Sequence, residues 1–314
     1  MPRKLRFVDD RYPVLGARSG QTTTLWEITT PVIDGRYLLR PDDDCIDIIL
    51  GVLAQAQRWW RFDVYAFHVM STHWHLVAGF VSLGQKARVM RFVNGEIARR
   101  INRLRGRSGP LFQRRNTAIQ ITSDAHALQR VKYLMSQGTK AFVVRHPDED
   151  PFASSTPWLL RGQPLRGTWW GEDGPVVGVV EMSPLPGLAH LSPHQQRDVM
   201  WELADAIAKE ERPKRKKAGR KLMGAERART IDPWTRKAPE PKTPPPVIHG
   251  TAEQARAWRE AYGEAENAYK AATAAFRAWQ ADATTPMLRW PPCTLAPAFA
   301  YVEAEPGGEA RAGP

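Results

Sequence analysis

"MSTHWHLVAGF", Met70 to Phe80, sets two histidines on either side of one tryptophan. In a β-strand, residues i and i+2 point the same way, with Cα atoms roughly 6.5 Å apart, so His73 and His75 share a face. Two ring nitrogens placed like this can hold one metal ion or one phosphate, or simply stand as half-exposed strand histidines. Read as one unbroken strand, Phe62 to Phe80 puts Tyr65, Phe67 and Val69 on that same face. His68 then faces the opposite way, as a core or edge histidine.

Outward from this stretch, strand and helix patterns alternate. Thr22 to Val32 is rich in Thr, Ile and Val with strand alternation, and "DGR", Asp34 to Arg36, reads as a turn. Asp43 to Trp60 carries Ile46, Ile49, Leu50 and Leu53 at helical spacing. Lys86 to Leu104 is helical through Val89, Phe92, Val93, Ile97, Ile101 and Leu104, with basic residues on the remaining face. A short apolar run, Ala118 to Thr122, precedes Ser123, which can cap a third helix with Asp124 at its positive end. This order predicts an α+β fold, helices packed on one face of an antiparallel sheet, ending near Ser155.

The second half has a different composition. Gly and Pro punctuate Trp158 to Leu188, and "SPHQ", Ser192 to Gln195, supplies an N-cap, a first-turn Pro and a capping-box Gln for a helix to about Glu211. "RPKRKKAGRK", Arg212 to Lys221, reads as a flexible phosphate-binding arm or a solvated linker. "APEPKTPPPV", Ala238 to Val247, reads as an extended spacer. From Thr251, with Gln254 completing a capping box, Trp258, Tyr262, Ala265, Tyr269, Ala272, Phe276 and Trp279 trace a heptad seam. That seam must be buried, against the Ser192 helix or in a dimer contact. The extension is thus expected to be mainly helical.

The chain of 314 residues has no signal-peptide pattern, and no run approaches the roughly 18 apolar residues that a spanning helix needs. A cytoplasmic, nucleoid-associated protein without a membrane partner is expected. Cys45 and Cys293 form neither a disulfide framework nor a zinc signature. Lys and Arg total 45 against 33 Asp and Glu, a net charge of +12. From Lys86 to Arg115 ten basic residues face one acid, Glu96, which points to a polyanion, above all nucleic acid.

Chemistry concentrates in "HALQRVKYLMSQGTK", His126 to Lys140. Leu128, Val131 and Leu134 make an apolar flank, while His126, Arg130, Tyr133, Gln137 and Lys140 follow at i+4 and i+3 steps on another. Gly138 can end the helix as a left-handed cap. A phenol, with an ordinary pKa of about 10, becomes a useful nucleophile when cations or a metal-bound phosphate favour the phenolate. A divalent ion held by His73, His75 and an oxygen such as the Gln137 amide could polarise a phosphodiester for attack by Tyr133. Imidazoles by themselves favour Zn, Ni or Cu over Mg.

The motifs resemble a known family. "MSTHWHLVAGF" is similar to the His-hydrophobic-His motif of single-tyrosine HUH transposases, and "GPLFQRRN", Gly109 to Asn116, to their G-x-L-W-Q-R-R segment. "VKYLMSQGTKAFVVRHPDEDPFASS" is similar to their nucleophile helix and its exit. Within them the chain resembles the REP-associated tyrosine transposases, whose usual start is similar to "MPRKLRF". "SPLPGLAHLS" and "FAYV" are similar to neighbourhoods in longer members. Trp74 is bulkier than the usual middle residue, Ser71-Thr72 replaces Pro-Asn, and Gln137-Gly138 stands where many members have Asn-Pro.

The resemblance implies a ferredoxin-like HUH catalytic domain over residues 1–155. Beyond it are expected an accessory region at 156–237 with one helix and a basic arm, a Pro-rich linker at 238–250, and a long helix and tail at 251–314. The implied activity is a metal-dependent single-strand DNA endonuclease and transposase that cleaves and rejoins DNA near hairpins through a 5′-phosphotyrosine. The alternative is a domesticated hairpin-binding protein without mobility. Tyr133 is then the nucleophile, and His73, His75 and Gln137 the ligands of Mg²⁺ or Mn²⁺. Arg99, Arg100, Arg103, Arg107, Arg114, Arg115, Arg130 and Lys140 are candidate contacts to single-stranded or hairpin DNA, and a homodimer is a possible assembly.

Overall fold

The computed structural model describes residues 5–113, 116–238, 246–282, 284 and 289–295. Their contacts form two compact units, one spanning Arg11–Ala255 and the other joining residues before Arg11 to those after Ala255. Among the described residues no helix is long and apolar enough to cross a membrane. Arg114, Arg115 and the "FAYV" segment lie outside the described residues, as does most of the Pro-rich stretch.

The larger unit is built on one sheet. After the two-residue β1 (Val14–Leu15) come β2 (Thr22–Pro31), α1 (Asp43–Trp60), β3 (Asp63–Met70), β4 (His73–Phe80), α2 (Leu83–Leu104) and β5 (Thr117–Ile121). The strand order is β3-β4-β2-β5-β8, where β8 (Ile248–His249) runs parallel to β5 and the other neighbours are antiparallel. β2 is central and carries the apolar Leu25, Trp26 and Ile28, all buried. Asp42 accepts from the Cys45 amide at 3.0 Å to start α1, and Ser82 accepts from the Gln85 amide at 3.0 Å to start α2.

The histidine stretch is a hairpin, not one strand. Ser71 and Thr72 turn the chain, so Met70 pairs with His73 and His68 with His75. Directly opposed residues share a face. His68 therefore stands on the same side as His73 and His75, while Phe67 and Val69, opposite Leu76 and Trp74, take the other side. A register shift between Val64 and Ala66 sends Tyr65 to the histidine side, where it packs with Val77 and Leu25.

Helices cover both faces of the sheet, so the one-faced layer is corrected. α2 lies on the tryptophan side, where Trp74 Nε1 donates to Asn94 Oδ1 at 3.1 Å, and α1 packs beside it. α3 (Asp124–Met135) lies on the histidine side, its Ala127, Val131 and Leu134 packed with Leu25, Val77 and Ile121. Neighbouring residues on β4 point to opposite faces, and the two sets of helices divide accordingly.

Residues after Ser155 continue the same unit. α5 (Thr156–Arg161) and α6 (Pro193–Lys217) add Leu159, Leu160, Met200, Ala204 and Ile207 to the α3 core. Between them lies a hairpin that Gly and Pro punctuation did not announce, β6 (Leu165–Gly171) and β7 (Gly174–Val180), seated on α1. Gly51 and Gly167 make that seat possible, because a Cβ on either would strike the backbone of the other element. The expected flexible arm is helical as far as Lys217, with Lys214 paired to Glu211 at 2.8 Å. A short α7 (Ala225–Thr230) precedes β8.

The smaller unit holds most of α8 (Ala252–Ala281), which opens on the Thr251/Gln254 capping box. Two stretches of its seam meet rings of the same unit. Phe7 stands edge-on to Trp258 and Tyr262, and Phe276 meets Trp290 at 5.4 Å.

Candidate active site

The sheet delivers His73 and His75 to the α3 side as a close pair, ring centroids 4.9 Å apart and planes at 83°. His75 Nδ1 lies 2.9 Å from Thr29 Oγ1 and 3.4 Å from Glu27 Oε1. Its Nε2 is buried and has no hydrogen-bond partner. His73 Nδ1 is 2.9 Å from Thr72 Oγ1, and its ring also hydrogen-bonds the Gln137 side chain. Burial holds the His73 imidazole well below the usual histidine range, and His75, His68 and Lys237 add repulsion. Burial also lowers His75, with Glu27 opposing only in part. Both rings are therefore neutral near pH 7 and keep a lone pair.

Glu27 is the hidden centre of this face. Its carboxylate lies 2.6 Å from His249 Nε2 on β8, 3.1 Å from Arg130 Nε on α3 and 3.4 Å from His75 on β4. Burial alone would raise its pKa, but His249, His75 and Arg130 outweigh that cost and hold it at about 2. One ionised carboxylate thus ties three elements together and orients the His75 ring.

Tyr133 and Gln137 arrive from α3 and from α4 (Gln137–Lys140). The break between these helices falls at Ser136, whose hydroxyl donates to Tyr133 O at 2.8 Å, as does Gln137 Nε2 at 3.1 Å. The Tyr133 ring lies edge-on to His75 at 5.5 Å in the same chain. Arg130 Cζ and Lys140 Nζ sit 4.3 Å and 4.7 Å from the Tyr133 ring centroid. The predicted stripe is real, and Arg130 does double duty on Glu27. His126, at its far end, only pairs with the cap residue Ser123 at 2.7 Å.

Gly138 is not a left-handed cap. It is helical inside α4, and Phe142 takes the positive φ of 55° instead. The glycine is needed because a Cβ there would collide with the Asp150 carboxylate. Asp150 Oδ2 contacts His68 Nε2 at 2.9 Å, and both side chains are almost wholly buried. The pair clamps the Gln137 turn against β3, and this is the work of the histidine expected to face away.

The other described basic candidates stand elsewhere. Arg99 and Arg100 pair with Glu96, Arg100 also donating to Trp170 O at 2.7 Å. Arg103 is exposed on α2, and Arg107 bonds Asn102 and the Pro110 carbonyl. Of the six described candidates, Arg130 and Lys140 alone adjoin Tyr133.

Among the described residues no group of three or more His, Cys, Asp or Glu has metal-binding geometry. The candidate set is two imidazoles and an amide. It fits a divalent ion in one respect that bears directly on binding: His75 Nε2 is a buried, unpartnered nitrogen on a neutral ring whose other nitrogen is engaged by a hydroxyl and a carboxylate. Glu27, His249, Asp150 and Thr29 escaped sequence reasoning. Only Glu27 left a trace, as a lone charge amid the apolar alternation of Thr22 to Val32.

No family model matches the chain, and no curated protein matches it. Solved structures similar to it include the following. One is a REP-associated tyrosine transposase bound to a REP hairpin, 16% identical with a TM-score of 0.39, covering 59% of this chain and 96% of that one. Another is a transposase candidate from Deinococcus radiodurans R1, 14% identical with a TM-score of 0.27, covering 44% and 98%.

Proposed function

We propose that the chain is a single-strand DNA strand transferase of the single-tyrosine HUH type, with Tyr133 as nucleophile. The observation that carries this reading is the meeting of His73, His75, Tyr133 and Gln137 at one place within one chain. The strand-helix-strand-strand-helix-strand order from β2 to β5 agrees with a ferredoxin-like scaffold.

The phenolate oxygen of Tyr133 attacks the phosphorus of a backbone linkage, after its proton passes to water. The bond to the 3′ oxygen breaks, that oxygen leaves and is protonated to a free 3′ hydroxyl, and the 5′ phosphate remains esterified to the tyrosine. A 3′ hydroxyl attacking in reverse rejoins a strand and frees the enzyme. Arg130 and Lys140 bring positive charge to the attacked polyanion. His73, His75 and the Gln137 amide would hold Mg²⁺ or Mn²⁺, which supplies Lewis-acid charge neutralisation at the phosphate oxygens. Glu27 and Thr29 keep His75 oriented, and the His68/Asp150 clamp keeps Gln137 in place.

The test is incubation with a hairpin-bearing single strand and Mn²⁺, followed by a denaturing gel. A shifted adduct, absent in Tyr133→Phe, is expected. Binding without an adduct in several divalent metals would instead favour a hairpin-binding protein that lacks the chemistry.

A further inference from the structure

The β6–β7 hairpin has two long edges, and the chain treats them differently. Its turn is Glu172 and Asp173, closed by Gly171 against Gly174, so Gly171/Gly174, Trp169/Val176, Gly167/Gly178 and Leu165/Val180 are the hydrogen-bonded pairs. The intervening pairs, Trp170/Pro175, Thr168/Val177 and Arg166/Val179, turn their backbone groups outward. On β6 those groups are engaged. Thr168 N donates to Asp47 Oδ1 at 3.0 Å, Thr168 O lies against Gly51, and Trp170 O accepts from Arg100 Nη2 at 2.7 Å. On β7 they are open: among the described residues neither backbone nor side chain bonds the outward N–H and C=O of Val177 and Val179.

The open edge is also apolar. β7 reads "GPVVGVV", seven residues without a charge in a chain of net charge +12. Val177 is 66% exposed and Val179 40%, both on the hairpin face away from α1, whereas Gly178 faces α1, where a Cβ would meet Ala54. Unpaired backbone groups beside exposed valines template further strand pairing, and edges of this kind are normally shielded by charge. The nearby charges stand off the strand: Glu172 and Asp173 in the turn, Glu181 paired with Arg18, and Arg166 across on β6.

We propose that β7 joins a second copy of this chain, antiparallel, into a four-stranded sheet β6-β7-β7-β6 about a two-fold axis at Gly178. A copy fits because two chains of like net charge meet with least repulsion over an uncharged contact, and because this edge is self-complementary. Val177 exchanges two N–H···O bonds with the partner's Val179, and Val179 two with the partner's Val177, so every open group is filled. Neighbouring registers fail. An axis at Val177 sets the Val179 carbonyl against a proline without N–H and Asp173 against the partner's Glu181. An axis at Val179 calls on the Glu181 N–H, which Gln57 already holds at 2.9 Å. The joined stretch, Val176 to Val180 from each copy, is about 17 Å long. It is small beside the roughly 800 Å² per partner of a stable interface, so dimerisation belongs in the micromolar range. The hairpin rests on α1, across the sheet from Tyr133, and each copy keeps its own candidate site.

Sedimentation velocity of the full chain, freed of nucleic acid and run from about 1 to 200 µM, should show a monomer-dimer equilibrium. Amide exchange at Val177 and Val179 should slow as concentration rises. Val177→Pro removes an outward N–H, as Pro175 does two residues earlier in the same strand, and should weaken dimerisation by about tenfold or more with far-UV circular dichroism unchanged. Should that variant fail to fold, Val177→Lys keeps every backbone group and sets a charge in the contact, with the same loss expected. Trp170→Ser, on the outer face but off the edge, should dimerise as the parent does. A chain monomeric across the whole range, a dimer undiminished in the folded Val177 variant, or one abolished by Trp170→Ser would overturn the proposal.

Discussion

Tyr133 meets His75 edge to face within one chain, ring centroids 5.5 Å apart and planes at 87°. The tyrosine helix thus reaches the histidines of its own polypeptide, and the candidate site does not depend on a second copy to bring these groups together. The consequences fall on the residues that hold the arrangement.

Glu27 should make the fold acid-sensitive. Its folded-state pKa is depressed to about 2 from an ordinary value of 4.5. A depressed carboxylate contributes stability above its unfolded pKa and loses it as pH falls through the folded one, so the loss should run from about pH 4.5 to about pH 2. The full contribution is on the order of 3 kcal/mol. Urea melts across that range should show the decline, and Glu27→Gln should flatten it. A variant as acid-sensitive as the parent would contradict the assignment.

Gly138→Ala should destabilise the protein although alanine favours helices. The new methyl would displace Asp150 from His68, at a cost of about 1 to 3 kcal/mol. If Gly138 were merely a helix residue, alanine would stabilise by roughly 1 kcal/mol. The sign of the change in the urea midpoint separates the two.

Metal affinity should follow the first contacts and their supports. Isothermal titration with Mn²⁺ should show binding abolished by His75→Ala and weakened by Gln137→Ala. Glu27→Gln, which touches no metal but orients His75, should weaken it by about 10- to 100-fold. Undiminished binding in all three variants would place the ion elsewhere.

Much of this was legible in the sequence, and what was not has identifiable causes. The α1 boundaries and the caps at Ser123, Ser192 and Thr251 follow from local chemistry that no tertiary contact overrides. The hairpin at Ser71-Thr72 went unread because neither residue takes a positive φ, so no Gly or Asn marks the turn. Missing that turn reversed the side assigned to His68. The candidate set His73, His75, Tyr133 and Gln137 could be named from spacing. Glu27 and His249 could not, since their contact depends on β8 joining β5 across a long stretch of chain. Gly138 was read from its conformational freedom, whereas its place is set by lack of volume beside Asp150.

The central claim is that Tyr133 forms a phosphodiester bond to DNA in the site of its own chain. Mass spectrometry of peptides from a reaction with a hairpin-bearing single strand and Mn²⁺ tests it most directly. The account predicts a nucleotide adduct on the peptide containing Tyr133, lost in Tyr133→Phe and not restored by mixing that variant with His75→Ala chains. An adduct on another residue, or cleavage by Tyr133→Phe at the parent rate, would contradict it.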